Sequence, residues 1–210
     1  MHKGHQVVPP EIAPGAAVVL ITLKEVLSYL DCIGVGEGAR LLVLGHGPVG
    51  LSAAYLGRRL LHCERIVVGG RRPEAEAQVL EFGADAWVDV READWPLRAE
   101  ELLGGPATGV YETTGQPHLV EGALTILHQE GTLGPYAARP SDAEGAMPED
   151  PRMIPGSTDE GLSHDRIVQA VLERVIDPAI FISHVLPPEE IEAGFDLIDR
   201  REAIKVVFEA

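Results

Sequence analysis

Cysteine is nearly absent, with Cys32 and Cys63 the only two in 210 residues. Two thiols are too few for a disulfide framework or a four-thiolate zinc site, so both read as free, buried side chains. No apolar run approaches the roughly 18 residues that span a bilayer. The richest, Ala16 to Leu23, is broken by Lys24 and Glu25. The opening Met1-His2-Lys3-Gly4-His5-Gln6 contains no apolar core of the kind that directs secretion, so a soluble, cytoplasmic chain is expected. Basic residues are scarce as well: 17 against 33 acidic leaves a net charge of −16. A field of that sign repels nucleic-acid phosphates and anionic lipid, so an anionic ligand has to be caught by a local device. Aromatics are only 5% of the chain.

What is present is ordinary for a globular protein, 45% hydrophobic and 24% charged, which excludes disorder, collagen and coiled coil as the main architecture. The 23 glycines and 16 prolines cut the chain into short pieces. Val18 to Leu30 carries Val19, Leu20, Leu23, Val26, Leu27 and Leu30 at helical spacing, and Gly34, Gly36 and Gly38 end it. Arg40–Leu44 and Arg65–Val68 are short apolar runs of the kind buried on both faces of a parallel sheet. Between them, Gly45–Gly50 is a turn and Leu51–Leu61 a helix. Pro73 suits the first turn of a helix over Glu74–Phe82. Further strands are expected over Gly83–Val90, Gly109–Thr113 and Gly131–Pro135, with a helix over Pro117–Leu127. Ala137 to Pro155 loses its aliphatics and reads as a loop or lid. A helix over Asp165–Ile176, a strand at Ala179–Ile182, a helix over Glu189–Ile198 and a strand over Ala203–Phe208 close the chain. Strand–helix alternation at this spacing gives right-handed crossovers. The expected fold is α/β, a Rossmann-type doubly wound parallel sheet with helices on both faces. The expected divisions are 1–38 (N-terminal segment and lead-in helix), 39–177 (dinucleotide-binding domain, with 137–155 a mobile loop) and 178–210 (a strand–helix–strand appendage).

Gly45-His46-Gly47-Pro48-Val49-Gly50 matches G-x-G-x-x-G, follows a predicted strand and opens a predicted helix. In that setting Gly45 permits the turn, Gly47 keeps a side chain away from a pyrophosphate, and Gly50 lets helix pack on strand. Amides at the helix start then bind the diphosphate. An acid at the end of the second strand would bind the ribose 2′-hydroxyl of NAD. Here that position reads Gly69-Gly70-Arg71-Arg72, with no acid. Two glycines leave room for a 2′-phosphate, and two guanidiniums offer it bidentate, charge-assisted bonds. The expected cofactor is therefore NADP(H), with NADPH favoured over NADH.

These residues in combination resemble the medium-chain dehydrogenase/reductase family, whose best-known members are the zinc alcohol and polyol dehydrogenases. Leu42 to Leu51 is similar to the family's cofactor turn, Phe82-Gly-Ala-Asp85 to the motif after its third helix, and Tyr111-Glu-Thr-Thr-Gly115 to its fourth strand. Pro187–Ile191, Ala193-Gly-Phe195 and Ala203–Val207 resemble its C-terminal segment, and Pro10–Asp31 the stretch leading into its cofactor domain. The resemblance implies a form truncated before this point, without the family's N-terminal catalytic zinc domain. Gly4-His5-Gln6 faintly echoes the family's Gly-His-Glu, but no set of three ligands accompanies it, and His118, His128, His164 and His184 are dispersed. No bound metal is expected.

The resemblance further implies that the nicotinamide lies near Tyr111, Thr113, Thr114 and Gly134 to Tyr136. The catalytic group is not identified. Tyr111 and Tyr136 are the candidate proton donors, and both equally suit packing. His46 could touch the cofactor or face solvent. The leading reading is an oxidoreductase that moves hydride between nicotinamide and a carbonyl or alcohol carbon. A non-catalytic dinucleotide-binding or sensor subunit, and a non-redox enzyme in the exposed cleft, stand as alternatives. A homodimer is expected, because the stripe of Val18, Leu20, Leu23, Val26, Leu27 and Leu30 and the alternation of Ile204, Val206 and Phe208 would otherwise lie bare. The segment Arg152–Gly156 matches the family's joining edge.

Overall fold

The computed structural model describes residues 6–156 and 160–210, so the Gly4-His5 echo lies outside the described residues. The described chain divides into two compact units, one over residues 26–156 and one formed by residues 6–25 with 160–210.

The first unit is built on five parallel strands: β1 (Arg40–Leu44), β2 (Arg65–Gly70), β3 (Ala86–Asp89), β4 (Ala107–Glu112) and β5 (Leu127–Pro135). Their order is β3-β2-β1-β4-β5, the expected doubly wound arrangement, with the direction of winding across the sheet reversing at β1 and β4 while all strands run parallel. Past β5, Leu133 accepts from Ile154 N at 2.9 Å and donates to Arg152 O at 3.0 Å, so Arg152–Ile154 extends the sheet edge. Helix α1 (Pro14–Cys32) enters this unit with its second half, and Gly34 at φ +71° closes it through Val35 N to Leu30 O. Helix α2 (Pro48–Arg59) lies on the same face, where Gly57 admits the side chains of Leu41 and Ile66. Helix α3 (Glu76–Glu81), preceded by a 3₁₀ turn at Pro73–Ala75, sits beside it with Phe82 edge-on to Tyr55.

The opposite face is covered by α4 (Trp95–Leu103) and α5 (Pro117–Thr125). Trp95, Ala99, Leu103, Leu119 and Val120 close with Leu42, Val67, Val110 and Leu133 into one buried cluster. The sequence reading did not place α4. Its buried residues recur only every fourth position, Trp95, Ala99 and Leu103, among charges, so the stripe is narrow. Its stop signal is plain in hindsight: Gly104 at φ +76° in a Gly-Gly pair.

The second unit contains α6 (Glu160–Leu172), β6 (Ile182–Leu186), α7 (Ile191–Asp199) and β7 (Lys205–Phe208), with β6 and β7 paired in parallel. The strand expected at Ala179–Ile182 is corrected: Pro178–Phe181 is a 3₁₀ turn capped by Asp177, whose carboxylate accepts from Ala179 N at 2.9 Å. The strand starts at Ile182 instead. The premise of bare apolar faces is also corrected. Of the α1 stripe, Leu20, Leu23, Val26, Leu27 and Leu30 are buried within the chain, and only Val18 is exposed. Val206 and Phe208 pack against Gly194 of α7 and are half-buried. Cys63 is buried, whereas Cys32 is exposed rather than buried as expected. Among the described residues, no helix is long and apolar enough to cross a membrane.

Asp85, in the Phe82–Asp85 motif, lengthens the sheet by one rung. Its N–H donates to Ile66 O at 2.8 Å and its carboxylate accepts from Ile66 N at 2.7 Å, while Arg58 of α2 pairs with the same carboxylate. Removing the acceptor strands the amide of Ile66, which is fully buried. Asp85→Ala is therefore expected to destabilise the protein by about 1–3 kcal/mol in chemical denaturation, with Asp85→Asn in between.

Candidate functional site

Gly45 follows β1 at φ +103°, a conformation that side chains rarely adopt, and its N–H donates to Gly69 O at 2.8 Å. A Cβ there would run into Thr113 Oγ1. A Cβ on Gly50 would meet the Gly45 carbonyl, so this glycine sets how closely α2 approaches β1. Gly47 differs from both. It caps α2 in an extended conformation, φ −74° and ψ −177°, and a Cβ there would point into open space. Pro48 begins the helix and has no N–H, while the amides of Val49 and Gly50 have no acceptor within the helix. The turn thus presents amides and the positive end of a helix, a combination able to hold a phosphate.

At the end of β2 the expectation of space is corrected. A Cβ on Gly69 would meet Val90 and Leu44, and one on Gly70 would meet Trp87 and His46. These glycines make room for the protein's own side chains. His46 sits over Gly70 with its ring edge-on to Trp87, centroids 5.1 Å apart. Arg72 donates through Nε to His46 Nε2 at 3.0 Å, and Arg71 is exposed. Neither arginine is paired with a carboxylate among the described residues, whereas Arg58, Arg91, Arg98, Arg152 and Arg200 each are. Asp89, beside Gly70 in the β3 register, is taken by Arg91, which holds its pKa down to about 2.

At the ends of β4 and β5, Thr113 Oγ1 donates to Leu44 O at 2.7 Å and ties β4 to β1. Glu112 is fully buried, a residue the sequence reading quoted but gave no role. Its carboxylate accepts from Thr114 N at 2.6 Å, from Gly115 N at 2.9 Å and from the Thr114 hydroxyl. Burial raises its pKa from the usual 4.5, and these donors pull the other way. The signal was an acid inside an apolar strand run followed directly by Thr-Thr-Gly. Tyr111 is fully buried and packs with Tyr29 and Tyr136, centroids 5.2 to 5.6 Å apart, while Tyr136 is half-buried. Gly134 yields its side-chain space to Tyr29 and Ile33, leaving only its backbone for a ligand. Tyr29, not foreseen, donates to Pro135 O at 2.8 Å and accepts from Gly156 N at 3.0 Å. On its own helix it reads as one more member of an apolar face. The described residues contain no group of three or more His, Cys, Asp or Glu that could hold a metal ion.

The five-stranded order and the glycine turn at the β1–α2 junction define a dinucleotide-binding type of fold. Residues 48–157 match the family model described as zinc-binding dehydrogenase, and the chain belongs to that family. Geraniol dehydrogenase of Castellaniella defragrans is 30% identical over 158 residues, covering 75% of this chain and 40% of that protein. An alcohol dehydrogenase of Escherichia coli CFT073, solved with NADH, superposes over 98% of this chain and 62% of its own, with TM-score 0.83 and 16% identity. A zinc-binding dehydrogenase of Sinorhizobium meliloti 1021, solved bound to NADP, superposes over 96% of this chain and 61% of its own, with TM-score 0.81 and 21% identity. At those identities the structures show the fold. The chain spans about half the length of the proteins it matches.

Because Glu112 holds its proton more tightly when folded than its usual value of 4.5, the folded state binds more protons above that pH. The stability that Glu112 contributes is then present below that pH and falls as pH rises through the raised folded value. Measured against Glu112→Gln in urea titrations, the wild-type chain should lose relative stability as pH rises above about 4.5. A difference flat in pH would contradict the raised value.

Proposed function

We propose that this chain is the nicotinamide-dinucleotide-binding part of an oxidoreductase and favours NADP(H) over NAD(H). The observation that carries the reading is Gly47. Gly45 and Gly50 are demanded by the protein's own backbone, but Gly47 is extended and faces open space. A glycine costs conformational entropy that alanine would not. Its use there is to admit something to the backbone beside the Val49 and Gly50 amides. In this reading Gly45, Gly47, Pro48, Val49 and Gly50 hold the diphosphate, and Thr113, Thr114 and the Gly134 backbone lie on the nicotinamide side. Arg71 and Arg72 serve a 2′-phosphate, supported by their having no carboxylate partner among the described residues in a chain of net charge −16. The relatives carry NADH in one case and NADP in another, so the preference rests on these two side chains.

Bound dinucleotide would supply hydride exchange with a carbonyl or alcohol carbon. Of the three clustered tyrosines, Tyr29, Tyr111 and Tyr136, Tyr136 is the one not buried, and it is the candidate to exchange a proton with the substrate oxygen. Membership of a dehydrogenase family favours this reading over a sensor subunit or a non-redox enzyme.

Calorimetric titration with NADPH and NADH tests the proposal. NADPH should bind about tenfold to a hundredfold more tightly, or roughly 1.4–2.7 kcal/mol. Arg71→Ala/Arg72→Ala should remove most of that preference and leave NADH nearly unchanged. Gly47→Val should abolish binding of both while the chain stays folded, because a Cβ there meets no protein atom within 4 Å and the cost is limited to a poorer helix cap. Binding retained in that variant would sink the reading of the turn, and equal wild-type affinities would sink the NADP preference alone.

A further inference from the structure

Arg72 does not wave free at the end of β2. Its Nε–H donates to Nε2 of His46 at 3.0 Å. An imidazole nitrogen that accepts carries no hydrogen, so this bond requires the tautomer with its proton on Nδ1. The ring is itself fixed by the ends of three strands. It belongs to the turn after β1, lies over Gly70 at the end of β2 where a Cβ would collide with it, and stands edge-on to Trp87 of β3 at 76°. Holding the guanidinium by Nε leaves its two terminal nitrogens, the pair that forms a fork to a phosphate, bonded to no described residue.

We propose that His46 is a positioning residue for ribose-phosphate recognition. It orients the Arg72 fork toward a phosphate monoester on the adenosine ribose, so selection of the phosphorylated dinucleotide is made by the His46–Arg72 pair rather than by arginine charge alone. The inference rests on the dinucleotide reading above and adds a residue to it. A long side chain ordered before the ligand arrives loses less freedom on binding, which is worth roughly three- to tenfold in affinity. The gain falls only on a ligand that carries the phosphate.

The test uses adenosine 2′,5′-bisphosphate and adenosine 5′-monophosphate in calorimetric titrations, which need neither nicotinamide nor turnover. His46→Phe keeps a ring against Gly70 and Trp87 and deletes the acceptor. It should weaken the bisphosphate about three- to tenfold while changing the monophosphate less than about twofold. His46→Gln, whose side-chain oxygen reaches the place of Nε2, should recover most of the loss. In an Arg72→Ala background, His46→Phe should change neither ligand further. Equal weakening of both ligands would reduce His46 to a structural part of the turn, and an unchanged ratio would mean that Arg72 acts alone; either overturns the proposal. Nitrogen NMR of the imidazole in the unaltered chain needs no variant: Nε2 should be the unprotonated nitrogen, and a proton there overturns the pairing. If neither nucleotide binds the wild-type chain, the dinucleotide reading itself falls and this inference with it.

Discussion

Helix α2 stands against the carbonyl of Gly45 with no side chain between them, because Gly50 has none to interpose. That contact fixes where the helix begins relative to the end of β1. It leaves the Val49 and Gly50 amides and the helix dipole at the sheet end where the connections after β1 and β4 leave to opposite faces. The neighbouring groups are tied to the same point. The Gly45 amide is held by β2, the Leu44 carbonyl is taken by the amide and hydroxyl of Thr113, and Glu112 gathers the amides of Thr114 and Gly115 beneath.

Much of this was legible beforehand, and the reasons differ by element. β1 and β2 are apolar runs buried from their second residue on, with few alternatives, so their starts were read to the residue. The glycine turn was legible because the spacing pattern captures both the backbone demands at Gly45 and Gly50 and the bare, extended position of Gly47 between them. The purpose of Gly69 and Gly70 was not. Whether a missing side chain is space for a ligand or for Trp87 and His46 depends on strands distant in sequence. The covering of the α1 stripe was unreadable for the same reason. The turn at Pro178–Phe181 failed differently: its apolar letters suit a strand, but Asp177 and Pro178 together start a helical turn.

Charge placement separates arginines that build the protein from those free for something else. The pair Arg58–Asp85 closes a helix onto the sheet, and Arg91 neutralises Asp89 at the sheet end. Arg71 and Arg72 are spared such duty although acids outnumber bases nearly two to one. One of the two is then held by a neutral ring, which orients it without spending its charge.

The hydroxyl of Tyr29 bonds both Pro135, where β5 ends, and Gly156, where the following excursion returns. One oxygen atom thus buckles the segment between them into a closed ring, whose returning side, Arg152–Ile154, rejoins the sheet beside Leu133. A change of length between residues 138 and 149 would leave both clamps, at Pro135 and at Gly156, in place.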